Sequence, residues 1–160
     1  MTDCRQYKRV RVLVSACLLG DPVRYDGATK GLADHRIGLW QQRGWLLGSC
    51  PEVSGGLSVP RPPAELRQGK VITAAGEDVS LAFYRGAETA LALVQRYDLK
   101  FALLKANSPS CGNERVYNGR FEGKLVTGEG VTASLLRQHG VQVFNENQLD
   151  ELEQVLAAEG

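Results

Sequence analysis

The chain has 160 residues, of which 43% are hydrophobic, and carries 19 Lys and Arg against 18 Asp and Glu. That length suits a single domain, residues 1–160, and is too short for two domains of ordinary size. The net charge of +1 excludes an overall field that would attract nucleic acid or an anionic membrane. The N-terminal segment contains only a short apolar run, which predicts neither a signal peptide nor a membrane span and indicates a cytoplasmic protein.

Strand and helix patterns alternate along the chain and predict an α/β fold. The continuous apolar and β-branched run at 10–16 is typical of a strand covered on both faces, and we expect it at the centre of a mostly parallel sheet. Further strands are predicted at 45–49, 100–105 and 141–144, and helices at 33–43, 79–97 and 132–139 and after Asn147, with Asp78 and Asn147 as candidate N-caps.

Two long loops interrupt this alternation. The prolines and glycines that follow Cys50 exclude a regular helix through Pro63. Five glycines from Gly112 to Gly130 indicate a second irregular segment. Long loops in compact domains are commonly functional, so both are expected to border a site.

Three of the four cysteines follow predicted strands. Cys17 and Cys50 end the apolar runs VRVLVSAC and WLLGSC, and Cys111 comes after FALLKANSPS. The carboxyl ends of parallel strands share one edge of the sheet, where ligands bind, so these thiols are predicted to meet in space. Three thiolates in one crevice suggest a metal or an iron–sulfur cluster with one position open. Cys4 precedes the first strand in a polar segment, is expected to be a surface thiol and is left out of this site.

Four segments of the chain resemble, in order, the successive signatures of the thiouracil desulfidase family: VSACLLGDPVRYDG, CPEVSGGLSVPRPPAE, ALLKANSPSCG and GRFEGKLVTGEGVTASLLRQHG. The resemblance extends from about Val10 to Phe144. It implies a Rossmann-like domain that removes sulfur from thiolated uracils without net redox change. It also implies a 4Fe-4S cluster on Cys17, Cys50 and Cys111, with one iron open. Some relatives carry an extra domain and act on thiolated tRNA; its absence here favours a small thiolated base or nucleotide.

The same resemblance implies catalytic roles for Glu52 and Ser108, with Ser110 as the alternative serine. A carboxylate close to a metal suits the direction of water and the supply of a proton. A serine hydroxyl can orient the water or hydrogen-bond the heterocycle. Further candidates for substrate binding are the backbone N–H groups of three glycines and two loop arginines that either bind a phosphate or face solvent: Gly55, Gly56, Gly112, Arg24 and Arg61.

Two other classes of protein remain open from the residues. The cysteines could bind zinc or cycle to a disulfide in a redox or metal-sensing module, although close CxxC pairs are missing. Alternatively, the crevice could be a non-catalytic nucleotide-binding site with inert cysteines. SACLLGDP after the first strand lacks the GxGxxG fingerprint, which counts against classical dinucleotide binding.

Overall fold

The computed structural model describes residues 9–20, 25–26 and 31–159. Cys4 and Arg24 lie outside these residues. The described part of the chain contains eight strands, β1 (Val12–Ser15), β2 (Leu46–Ser49), β3 (Ala64–Arg67), β4 (Lys70–Thr73), β5 (Phe101–Leu104), β6 (Arg115–Tyr117), β7 (Leu125–Thr127) and β8 (Gln142–Asn145). Its α-helices are α1 (His35–Gln42), α2 (Pro51–Ser54), α3 (Ser80–Tyr97), α4 (Val131–Gln138) and α5 (Leu149–Ala158).

A parallel sheet in the order β2-β1-β5-β8 forms the middle of the fold. Strand β1 lies inside this sheet, as its uninterrupted apolar run predicts. The chain proceeds from β1 to β2 on one side and to β5 on the other, so the strand order reverses between β1 and β5. In doubly wound sheets, ligands bind in the crevice beyond the carboxyl ends of the strands at such a reversal.

Helices cover both faces of the sheet. Val12 and Val14 point to one face, where they share a core with α1 and α5, while Leu13 points to the other and joins a core with α3 and α4. This alternation is the two-residue repeat of a strand buried on both sides. The α/β class predicted from the sequence is therefore confirmed. None of the described helices has the length and apolar character needed to cross a membrane.

Four local expectations are wrong. Asp78 is not the N-cap residue of α3, which is Val79, although Asp78 Oδ1 accepts a hydrogen bond from the Ser80 N–H at 2.9 Å. Pro51 begins the short helix α2 inside the segment from which prolines were expected to exclude helix, because proline is compatible with a first helical position. The glycine-rich segment after Cys111 contains the hairpin of β6 and β7 and is not irregular throughout. Asn147 does not cap α5; its N–H donates to Asn145 Oδ1 at 2.8 Å, and the helix begins after Gln148.

A further hairpin, of β3 and β4, lies in a segment without a strand prediction. Its two-residue turn places Gln68 and Gly69 in the left-handed region, with φ of +50° and +80°. A type I′ turn requires positive φ at both of these positions. Asn-Gly and Asp-Gly predict such a turn more strongly than Gln-Gly does. The weak turn signal explains why the hairpin was missed.

Candidate active site

The structure brings the three strand-end cysteines to one cavity of about 470 Å³ at the carboxyl edge of the sheet. Cys17 comes from the 3₁₀ turn after β1, Cys50 from the end of β2, and Cys111 from the segment after β5. Glu52 and Ser108 line the same cavity. The cavity therefore lies at the strand ends, where the three cysteines were predicted to meet.

Cys111 is the most enclosed of the three thiols. Burial, together with the nearby Glu52 and Cys17, raises the pKa of the Cys111 thiol to about 12, and a hydrogen bond with the Ser15 side chain partly offsets this rise. Cys17 is also buried, and no disulfide joins Cys17, Cys50 or Cys111. A thiol with so high a pKa stays protonated unless a metal cation replaces the proton. Metal binding by a thiol is therefore coupled to loss of its proton.

Helix α2 holds Cys50 and Glu52 close to each other. Cys50 is its N-cap residue and Glu52 lies in its first turn. Gly86 of α3 allows this positioning, because a Cβ there would run into the carbonyl oxygen of Pro51. Burial raises the pKa of the Cys50 thiol. The close approach of two helix backbones thus fixes one thiol and one carboxyl at the cavity.

Glu52 has a buried cation beside it. Arg61 Nη2 lies 3.5 Å from Glu52 Oε2, and the Arg61 side chain is only 5% exposed. Burial raises the pKa of Glu52, and the charge of Arg61 partly offsets this rise. Arg61 does not line the cavity, so it lies behind the carboxyl group of Glu52. This position supports neither of the two predictions for Arg61, phosphate binding or exposure to solvent.

The two candidate serines have different surroundings. Ser108 lines the cavity, and its Oγ accepts hydrogen bonds from the N–H groups of Ser110 and Cys111, both at 3.1 Å. Ser110 is fully buried, and its hydroxyl pairs with Thr132 Oγ1 at 2.8 Å. Ser108 is therefore the serine that faces the cavity, whereas Ser110 supports the segment beneath it.

The structure does not bring Gly55, Gly56 or Gly112 into the wall of the cavity. Their N–H groups donate instead to the carbonyl oxygens of Pro51, Val53 and Ser108, at 2.8, 3.0 and 2.9 Å. Because these donors are already used inside the fold, they are not the groups that would hold a substrate carbonyl.

Several residues of the cavity wall were not predicted from the sequence. Ser15 is the buried last residue of β1, and Lys105 follows β5, with Nζ 2.8 Å from Glu146 Oε2. The position of Lys105, a charged residue directly after a buried strand, could have identified it as a candidate site residue. Three aromatic residues, Tyr25, Tyr117 and Phe121, also line the cavity, and the predicted loops gave no reason to choose them.

The ligands available here suit an iron–sulfur cluster by type. Among the described residues, no three His, Cys, Asp or Glu side chains are already grouped as ligands of a single ion. In a four-iron cluster each cysteine binds a different iron, so the ligands stand farther apart than around one ion. Three thiols around one cavity provide the soft donor set that such a cluster uses.

Comparisons with known proteins agree with this geometry. A family model described as 2-thiouracil desulfurase matches residues 12–148. The solved structure of the 4Fe-4S-dependent thiouracil desulfidase TudS has 53% sequence identity and a TM-score of 0.91, and the match covers 93% of this chain and 99% of that chain. The uncharacterized protein YbbK of Bacillus subtilis (strain 168) is 41% identical over 151 residues, which are 88% of this chain and 99% of YbbK. The chain belongs to the 2-thiouracil desulfurase family.

Proposed function

We propose that this protein is an iron–sulfur-dependent desulfidase that hydrolyses the carbon–sulfur bond of a thiolated uracil. The observation that carries the proposal is the meeting of Cys17, Cys50 and Cys111 with Glu52 and Ser108 at one cavity. In the overall reaction, water supplies the oxygen of the new carbonyl group and both hydrogens of the released hydrogen sulfide. No electrons are gained or lost, so the reaction requires neither an oxidant nor a reductant.

Cys17, Cys50 and Cys111 would hold a 4Fe-4S cluster and leave one of its irons without a cysteine. When bound, the cluster supplies a Lewis acid with affinity for the sulfur of a thiocarbonyl, which polarises the carbon–sulfur bond. A thiol must lose its proton to bind iron as a thiolate, so assembly of the cluster releases protons.

Glu52 is the candidate acid–base group. Burial favours the neutral carboxyl more than Arg61 favours the carboxylate, so the pKa of Glu52 is raised and, at neutral pH, its two protonation states are closer in free energy than in water. A carboxyl with this balance can take a proton from water and later deliver it to the departing sulfur. Glu52 lies in the first turn of α2 and lines the same cavity as the three cysteines.

Ser108 is the candidate hydrogen-bond donor. Its oxygen already accepts from two backbone N–H groups. A hydroxyl has two acceptor positions and one donor, so the O–H is left to donate into the cavity. It would orient the attacking water or a polar atom of the heterocycle.

A small thiolated base or nucleotide is the proposed substrate class, because one compact cavity contains all the candidate groups. The cytosol is the proposed compartment, since reducing conditions keep three clustered thiols from oxidation. A thiolated tRNA as substrate is not favoured by the near-neutral net charge.

The test is anaerobic reconstitution followed by incubation with 2-thiouracil, 4-thiouracil or 4-thiouridine monophosphate. We expect the thiocarbonyl absorbance to disappear, with one sulfide released for each uracil or uridine product and with no added reductant. A chain that carries its full cluster and leaves all three compounds intact would contradict the proposal. Binding of zinc in place of iron, or a reversible disulfide, would favour the sensing module.

A further inference from the structure

Three aromatic side chains from separate parts of the chain border the cavity. Tyr25, Tyr117 and Phe121 all line it, and each is more than a third exposed to solvent. Aromatic surface of this size is normally buried, because its exposure costs free energy. An exposed aromatic group beside an active site is a candidate contact for a ligand.

Phe121 differs from the two tyrosines in having no polar atom that would account for its exposure. Its backbone is also unusual, since its φ of +54° lies in the left-handed region. A bulky residue rarely adopts this conformation, which is strained for any side chain with a Cβ. Both features are unfavourable for the folded chain alone, so they point to a role in binding.

The loop between β6 and β7, which carries Phe121, is hydrogen-bonded to the hairpin of β3 and β4. Glu65 Oε1, on β3, accepts hydrogen bonds from the N–H groups of Gly119 and Phe121 at 3.0 and 3.2 Å. Arg67 Nε, also on β3, donates to the carbonyl oxygen of Gly119 at 2.8 Å. A Cβ at position 119 would lie 2.5 Å from the Leu66 carbonyl oxygen, so only glycine permits this approach. The backbone at Phe121 is therefore held in place before any ligand arrives.

We propose that Phe121 stacks on the pyrimidine ring of the substrate, an inference that rests on the proposed desulfidase function. A flat, uncharged heterocycle presents a π-face to an aromatic ring and its polar atoms at its edge. Stacking on Phe121 leaves that edge, with the sulfur, for the cysteines, Glu52 and Ser108. The contact selects for an aromatic ring, whereas the polar groups select for its substituents.

The experiment compares binding of uracil and of 5,6-dihydrouracil to the reconstituted protein by titration calorimetry. The two compounds share their carbonyl and N–H groups, but dihydrouracil has no aromatic ring. We expect wild type to prefer uracil and Phe121→Leu to bind uracil about 5- to 100-fold more weakly, with little change for dihydrouracil. Phe121→Tyr should retain the preference. The control Leu81→Ala, an exposed apolar truncation on α3 outside the cavity, should behave as wild type.

Equal weakening of both compounds in Phe121→Leu would overturn the proposal, because a structural role alone predicts it. No preference for uracil in wild type, or no binding of uracil by it, would overturn it as well. Iron content and circular dichroism check that Phe121→Leu is folded and loaded. If Phe121→Leu is not folded or loaded, Phe121→Tyr decides the question. Loss of its preference for uracil contradicts stacking, and retention of this preference supports stacking. Suppose instead that Phe121 distinguishes uracil from dihydrouracil but that no thiolated compound is turned over. This result would refute the desulfidase function and leave the stacking contact in place.

Discussion

At the scale of single residues, burial decides which groups are available for chemistry. Ser110 and Ser108 are only two positions apart, yet one hydroxyl is fully enclosed against Thr132 and the other reaches the cavity. Arg61 and Glu52 form a pair whose cation is the more buried partner. The pair leaves the carboxyl at the cavity wall and the guanidinium behind it, an arrangement that suits an acid–base role for the carboxyl.

Replacement of Glu52 by glutamine separates catalysis from cluster assembly. The two side chains are nearly isosteric, but the amide cannot exchange a proton. We expect Glu52→Gln to keep normal iron content while turnover of thiouracil falls by a factor on the order of 10² to 10⁴, the range for a lost general acid or base. Steady-state kinetics with iron analysis checks this, and retained turnover would move the acid–base role to another group.

The two serines should give opposite phenotypes. Ser108→Ala removes a donor from the cavity, and we expect turnover to fall by about 10²-fold per loaded chain. Ser110→Ala leaves the buried Thr132 hydroxyl without its partner, so it should lower the free energy of unfolding by about 1–3 kcal/mol and alter turnover far less. Urea denaturation and steady-state kinetics on both variants measure the two effects. The reverse pattern would assign the catalytic role to Ser110.

At the scale of elements, a short helix is positioned by a glycine on a longer one. Helix α2 has four residues and could not hold a fixed place by itself, since isolated helices of this length are unstable. Gly86 on α3 and Gly55 at the end of α2 remove the side chains that would separate the two backbones. The site therefore depends on α3, although no residue of α3 lines the cavity.

A methyl group at position 86 should disturb the site from a distance. Gly86→Ala would press against the Pro51 carbonyl and displace α2, so we expect a loss of about 1–3 kcal/mol of stability together with lower iron content. Gly38→Ala is the matched control, because its Cβ would have no atom within 4 Å. It should instead stabilise α1 by about 0.5–1 kcal/mol. Similar unfolding curves for both variants would show that the close approach does not matter.

The elements also show which parts of the fold can be predicted from local sequence patterns. Strand runs and helical stripes predicted the four strands of the main sheet and its flanking helices, because burial on two faces leaves a clear periodic signal. The β3–β4 hairpin was missed because its turn uses Gln68, a residue without a strong turn preference. The β6–β7 hairpin was missed because its strands have only three residues each, too few for a clear periodic signal. Phe121 consequently could not be assigned to the cavity, because its position depends on contacts between segments far apart in the chain.

At the scale of the whole molecule, topology accounts for the meeting of distant cysteines. Strands β1, β2 and β5 run in parallel, so the segments after them share one edge, and the reversal of strand order opens a crevice there. This part of the site was predictable from the sequence, since it needs only the strands and the residues that follow them. The glycine N–H assignments failed because they depended on hydrogen bonds that the pattern cannot show.

The central claim is that Cys17, Cys50 and Cys111 together hold one iron–sulfur cluster. Its most direct test is the iron and sulfide content per chain after anaerobic reconstitution of wild type and the cysteine-to-serine variants. We expect about four iron and four sulfide per wild-type chain and a sharp loss of both in Cys17→Ser, Cys50→Ser and Cys111→Ser, with Cys4→Ser unchanged. A full cluster in any of those three variants, or its loss in Cys4→Ser, would contradict the account.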